Sequence, residues 1–169
     1  MLSSDRRTVL GLLGTLPLLA ACGFSPVHAP GTAARSLRGG VLVDEPATRA
    51  EFDLVRAVED RLGRADQPLY GLRVVQNVSS DALAVQGSAA VTRYNLVGRA
   101  DYVLTRLSTG EAVAAGSVNT FTSYSATAST VATASAERDA RRRLSIALAD
   151  LIVTDILLTL PETDTVPGT

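Results

Sequence analysis

The stretch AVTRYNLVGRADYVLTRL, residues 90–107, alternates in chemical character with a period of two. Its even positions are Tyr94, Leu96, Gly98, Ala100, Tyr102 and Leu104. Its odd positions set Arg93, Asn95, Arg99 and Asp101 among Val91, Val97 and Val103. Successive side chains on a strand point to opposite faces, so this pattern predicts one long strand with an apolar face on a core and a wetter face outside. Such alternation belongs to antiparallel sheets covered on one side only. STGE at 108–111 supplies turn residues, and AVAAGSVNTFTSYSA at 112–126 reads as the returning strand of a long hairpin. Both strands exceed the usual length of about five or six residues, which predicts a bulge near Gly98 or Gly116.

Upstream, LYGLRVVQNVSS (69–80) is rich in β-branched residues and reads as another strand, and VLVDE (41–45) as a short one. Between them, Pro46-Ala47-Thr48 offers a turn and a helix N-cap, and ATRAEFDLVRAVEDRLGR (47–64) follows at helical period. Leu54, Val55, Val58 and Leu62 share a stripe, Arg49, Asp53, Arg56, Asp60 and Arg64 fall away from it, and Gly63 marks the end. The charged face reads as a solvated one. Downstream, the small residues and hydroxyl caps of 127–137 lead into RDARRRLSIALADLIVTDILLTLP (138–161), a helix of about seven turns closed by Pro161. Leu144, Leu148, Leu151, Ile152 and Leu158 share the side expected to pack on the sheet. A second apolar stripe, Ile146, Val153, Leu157 and Leu160, lies roughly opposite. Two readings stay open for it: a core helix covered by the first helix and loops, or a face that meets a protein partner.

The amino terminus carries a different signal. MLSSDRRTVL places Arg6 and Arg7 ahead of an apolar run of about a dozen residues, broken by Gly11, Gly14 and Pro17 and ending in Ala20 and Ala21 before Cys22. Spanning a bilayer takes roughly 20 apolar residues, so the run reads as an export signal, not a permanent span. Leu19-Ala20-Ala21-Cys22 resembles a bacterial lipobox, in which the thiol receives diacylglycerol and cleavage leaves it as the first residue, to be N-acylated. The other reading is an ordinary signal with an incidental Cys. Arg6-Arg7-Thr8-Val9-Leu10 resembles a twin-arginine motif with Asp5 in place of a small hydroxyl residue, and the general secretory route stays equally open. Gly23 after the Cys carries no inner-membrane retention signal, which favours the outer membrane. The expected organisation is therefore signal peptide 1–21, lipidated Cys22 and flexible linker 22–40, folded domain 41–161, and a disordered tail 162–169.

Composition narrows the function classes. The chain has 169 residues with one Cys, one His and a formal net charge of −1. Every basic residue is Arg, and no basic cluster interleaves with aromatics, so nucleic acid is not an expected partner. His28, the single His, lies in the linker six residues from Cys22, and a lone Cys forms no internal disulfide. There is no G-x-S-x-G elbow, phosphate loop or pair of metal-ligand clusters. We expect neither an enzyme, nor a metal site, nor a cofactor other than acyl chains on Cys22.

The element order strand–helix–strand–strand–strand–helix, in a lipoprotein beginning Cys22-Gly23-Phe24-x-Pro26, resembles the lipopolysaccharide-assembly lipoprotein family, LptE. The strand VTRYNLVGRADYVLT with Tyr94 and Tyr102, the return strand ending FTSYSA, and ATASAERDARRR at the entry to a long terminal helix carry the likeness, over nearly all of residues 22–161. The resemblance implies an α+β two-layer sandwich, two helices packed on one face of a four-stranded mixed sheet. It further implies an outer-membrane lipoprotein on the periplasmic side that sits in the lumen of a large LptD-type β-barrel as a plug, helps it assemble and aids delivery of lipopolysaccharide to the outer leaflet. Family members are proposed to bind lipid A through basic residues near the loop before the long hairpin. Here that loop, SDALAVQGSA (80–89), has none, and the nearest candidates are Arg93 and Arg99 on the following strand and Arg73 on its neighbour. Their other reading is solvated strand arginines paired with Asp101 or a neighbour. Two rival functions are a periplasmic accessory lipoprotein of a lipid ABC transporter and a structural lipoprotein without a dedicated partner.

Overall fold

The computed structural model describes residues 33–83, 93–127 and 129–160. The export signal, Cys22, His28 and the tail 162–169 lie outside the described residues. The elements are α1 (Ala33–Leu37), β1 (Val41–Val43), α2 (Arg49–Leu62), β2 (Tyr70–Leu83), β3 (Arg93–Arg106), β4 (Ala112–Ser125) and α3 (Thr130–Thr159).

The alternation along β3 does what its period requires. Leu96, Ala100, Tyr102 and Leu104 are buried, while Arg93, Val97, Arg99 and Val103 are exposed. β3 pairs antiparallel with β2 over Tyr70↔Arg106 to Leu83↔Arg93 and with β4 over Arg93↔Ser125 to Thr105↔Ala112. β1 adds to β2 in parallel, giving a mixed four-stranded sheet in the order β1-β2-β3-β4. The hairpin turns through Gly110, whose φ of 72° suits a residue without Cβ.

A bulge is present, but not at Gly98 or Gly116. The register slips where Leu104 faces Ala114 and Thr105 faces Ala112, leaving Val113 as the extra residue at the start of β4. The two glycines instead admit the helix. A Cβ at Gly98 would lie 2.9 Å from Leu144, and one at Gly116 would lie 2.7 Å from the Asp155 carboxylate and 2.9 Å from the Tyr102 ring.

Both long helices cover the same face of the sheet. α2 starts in a capping box: Thr48 Oγ1 accepts from the Glu51 N–H (3.2 Å) and Glu51 Oε2 accepts from the Thr48 N–H (3.0 Å). It buries Leu54, Ala57, Val58 and Leu62 and ends at Gly63. α3 begins at Thr130 behind the N-cap Ser129, a full two turns before Arg138, because the small residues of 130–137 are compatible with helix once capped. It buries Ala140, Leu144, Leu148, Ala149, Ile152 and Ile156, which join the inward residues of the sheet and of α2 in one core. Ser145, itself buried, accepts a hydrogen bond from Gln76 Nε2 (3.3 Å) and donates to the Ala50 carbonyl (3.5 Å), tying α3 to both β2 and α2. The folded body also begins earlier than position 41: α1 buries Ala34 and Leu37, and Gly39 donates to the Leu62 carbonyl (2.7 Å).

Candidate functional site

Among the described residues, one face of the sheet carries no helix. Its rungs read Arg73–Val103–Ala115, Val75–Asp101–Ser117, Asn77–Arg99–Asn119, Ser79–Val97–Phe121 and Asp81–Asn95–Ser123 across β2, β3 and β4. Polar and apolar rungs are interspersed, and Phe121 stands 71% exposed beside Val97. This surface offers amides, hydroxyls and small apolar islands at the usual strand spacing of about 4.8 Å.

The three strand arginines lie on this face but do not act together. Arg73 Nε donates to Asp44 Oδ2 (3.1 Å), and Arg99 donates through Nε and Nη2 to Asp101 Oδ1 (3.2 and 3.0 Å). Hydrogen bonds from Arg99, then from Ser117, hold the Asp101 carboxyl below the usual carboxylate range. Arg93 sits at the far end of β3, opposite Ser125, and among the described residues it has no ion-pair partner. Two of the three are therefore already neutralised by near neighbours, as the solvated-arginine reading expects.

The second apolar stripe of the terminal helix does not form one exposed face. Leu160 is buried, Val153 and Leu157 pack partly buried against the core, and only Ile146 is exposed. The expected sheet-facing stripe is corrected too: Leu151 and Leu158 are 40% and 80% exposed, and Ile156 takes the buried place. The reason is α2. It packs beside α3, with Arg61 bonded to Asp150 and Ser145 to Ala50, and so rotates the buried arc toward Ile152 and Ile156. The hydrogen bond that Arg61 donates to the Asp150 carboxylate raises the already high pKa of Arg61.

A second site was not legible as one. At the start of α2 and the first half of α3, Arg49, Arg138, Arg141 and Arg142, with Asp53 and Asp139, line a cleft of about 610 Å³. Arg141 donates to Glu137 (2.7 Å) and Arg142 to Asp139 (3.2 Å), whereas Arg138 Nε donates to the Ala134 carbonyl (3.2 Å). Arginine forks so placed can take up phosphate or carboxylate. The spacing of Arg138, Arg141 and Arg142 puts them on one side of a helix, but nothing in the sequence joins them to Arg49.

Beneath the sheet, Tyr102 donates its hydroxyl to Asp155 Oδ2 (2.8 Å). Burial first, then this hydrogen bond, pushes the phenol far above its ordinary pKa. The pair fastens α3 to β3 and reads as structural. Among the described residues no three His, Cys, Asp or Glu are grouped to hold a metal ion, and no helix is long and apolar enough to cross a membrane.

The family model described as LptE, lipopolysaccharide-assembly, matches residues 40–156. No curated protein matches the chain. Among solved structures, a lipoprotein from Caulobacter crescentus CB15 is similar at 18% identity and a TM-score of 0.63, over 74% of this chain and 93% of that one. The rare lipoprotein B from Shewanella oneidensis is similar at 15% identity and a TM-score of 0.56, over 71% and 93%. A lipoprotein B from Nitrosomonas europaea follows at 14% identity and a TM-score of 0.52, over 69% and 80%. At these identities the likeness is one of fold alone.

Proposed function

Because this chain belongs to the LptE family of lipopolysaccharide-assembly proteins, we propose that it is a non-catalytic plug for a large outer-membrane β-barrel. In this reading Cys22 carries the diacylglycerol and N-acyl chains that hold the domain on the periplasmic side of the outer membrane. The domain occupies the lumen of an LptD-type barrel, assists its assembly and aids passage of lipopolysaccharide to the outer leaflet. A role in lipopolysaccharide assembly is the family's own; the barrel, the anchor and the plug are this proposal.

What supports it most is the uncovered sheet face. Interiors of large barrels are polar and wide enough to hold a plug. A helix-free face with ion-paired arginines, amides and hydroxyls, interrupted by small apolar islands, complements such a wall better than a greasy surface would. The barrel wall is expected to contact the rungs from Val75 to Ser123, with Phe121 as the apolar anchor. Lipopolysaccharide carries phosphate; in the cleft Arg141 and Arg142 are held by Glu137 and Asp139, as Arg73 and Arg99 are by Asp44 and Asp101, which leaves Arg49 and Arg138 as its arginines for an anion. Arg93 is the strand arginine left to contribute.

Affinity purification from outer membranes in mild detergent, with a tag after Thr169 and a high-salt wash, tests the reading. One very large β-barrel in near one-to-one amount is the expected result, weakened by Phe121→Asp. Elution alone rejects the plug in favour of a structural lipoprotein. Elution with inner-membrane transporter components rejects it in favour of a transporter accessory.

A further inference from the structure

We propose that the cleft between the first turns of α2 and the first half of α3 binds a phosphate ester that carries an amine, of the phosphoethanolamine class, with Arg49 and Arg138 on the phosphate and Asp53 on the ammonium. This deepens the anion role given to Arg49 and Arg138 above and is independent of the barrel: a small-ligand titration reads it, whereas co-purification reads the plug.

The charges around the cleft divide into those already satisfied and those left over. Arg141 donates to Glu137 Oε1 through Nε and Nη2 (2.9 and 2.7 Å). Asp139 accepts from Arg142 (3.2 Å) and from Arg143 (3.0 Å), so one carboxylate serves two guanidiniums. The Glu51 carboxylate, in the first turn of α2, is taken up by the amides of Ala47 and Thr48 (2.9 and 3.0 Å). Arg49, Asp53 and Arg138 remain, none with an ion-pair partner among the described residues. Arg49 and Asp53 stand one turn apart on α2, the spacing at which opposite charges meet on a helix, yet they form no ion pair. Arg138 uses only Nε, on the Ala134 carbonyl of its own helix (3.2 Å).

This left-over set has the chemistry of one ligand class. Two guanidiniums on different helices can grip a tetrahedral phosphate from two directions, whereas a planar carboxylate is satisfied by a single fork. α2 begins at the cleft, with Ala50 in its lining, so the positive end of that helix adds to the pull on an anion. A bare anion would face Asp53 as a like charge. An amine on a short arm from the phosphate gives that carboxylate its partner.

There is room for more than a headgroup. The cleft holds about 610 Å³, within the range of about 300–1,000 Å³ usual for small-molecule sites. A second cleft of about 580 Å³ adjoins the same Arg49 and Asp53 and is completed by Pro46, Thr48, Phe52 and Arg56. Phe52 is 54% exposed there and offers an apolar surface to the remainder of the ligand. The same headgroup chemistry is carried by a phospholipid and by a phosphoethanolamine ester on a sugar.

The test titrates the full-length chain, extracted from its own membrane in mild detergent, with glycerophosphoethanolamine and with its amine-free counterpart glycerophosphoglycerol, by calorimetry. The amine-bearing ligand is expected to bind more tightly. Arg49→Gln and Arg138→Gln are each expected to weaken both ligands about tenfold. Asp53→Asn is expected to weaken only glycerophosphoethanolamine and so to abolish the preference. Arg64→Gln, at the far end of α2, is expected to change neither, and circular dichroism of all four variants is expected to match the wild type. Dihexanoyl phosphatidylethanolamine separates the two sources: tighter binding than the bare headgroup assigns a phospholipid, and equal binding assigns the ester on a sugar. The proposal is overturned if the wild type binds neither headgroup or shows no preference for the amine. It is equally overturned if Arg138→Gln binds as well as the wild type, or if Asp53→Asn keeps the preference.

Discussion

The two faces of the sheet come from the same strands and are built to opposite ends. On the helix side, Leu72, Leu96, Ala100, Tyr102 and Leu104 are essentially inaccessible, and even the glycines are filled from above by Leu144 and Asp155. On the other side, one residue along, Val75, Val97, Val103 and Phe121 stand exposed among charged and amide side chains. A period of two lets one strand carry both surfaces without compromise. Stability is thus concentrated on one face and left uncommitted on the other, which is free to serve recognition.

That contrast can be broken most forcefully from the packed side. Leu148→Ala should lower the unfolding free energy by about 2–5 kcal/mol, read by denaturant titration. Val97→Ala on the open face should change it by no more than about 0.5 kcal/mol. Equal losses from the two would mean that the open face is part of the core.

Next in size, Gly98→Val forces a side chain into Leu144 and Leu148 and should cost about 1–3 kcal/mol, without shifting the register of the hairpin. Were Gly98 only a bulge residue, the cost would appear as altered strand pairing in amide exchange instead.

Smaller again, Tyr102→Phe removes the donor to Asp155 and should cost about 1 kcal/mol. It also changes the pH profile. The folded state raises the Tyr102 pKa above its ordinary value near 10, so in strong alkali the unfolded chain loses this proton first. Stability should therefore be intact below about pH 10 and fall as pH rises beyond it. The phenylalanine variant should lack this component of the alkaline fall in melting temperature.

The least effect is expected on the open face. Arg99→Ala should leave the fold intact and raise the titration of the Asp101 carboxyl toward the ordinary carboxylate range, measured by NMR. The sign follows from its depressed folded pKa: the contribution is present at neutral pH and is lost only as acid protonates Asp101. An unmoved Asp101 would assign its low pKa to Ser117.

The elements of this fold could be read locally because each is announced by short-range chemistry. Thr48, Gly63, the STGE turn and the alternation of β3 each act within a few residues, and each lies where it was expected. α3 starts two turns before Arg138 because the Ala residues of 130–137 favour helix while their Thr, Val and Ser neighbours do so weakly and supply no apolar stripe to read, so the Ser129 cap decides the matter. Residues 33–40 read as linker because proline, glycine and small residues dominate the stretch around them. What folds them is the burial of Leu37 and a hydrogen bond from Gly39 to Leu62, both long-range.

The family was legible for the same reason as the fold: the order and length of the elements are a one-dimensional property. The terminal helix was not. Its two apolar stripes are equally evident in the chain, and only the position of α2 beside it decides that Ile156, Val153 and Leu157 go inward while Leu151 and Leu158 remain outside. The arginine cleft likewise exists only where Arg49 and Arg138 are brought together from opposite ends of the domain. Period and capping are set by neighbours a few residues apart, so the linear chain determines strands, helices and which side of each is apolar. Which apolar side finds a cover, and which charges share a cleft, depends on elements far apart in sequence, and only their packing decides it.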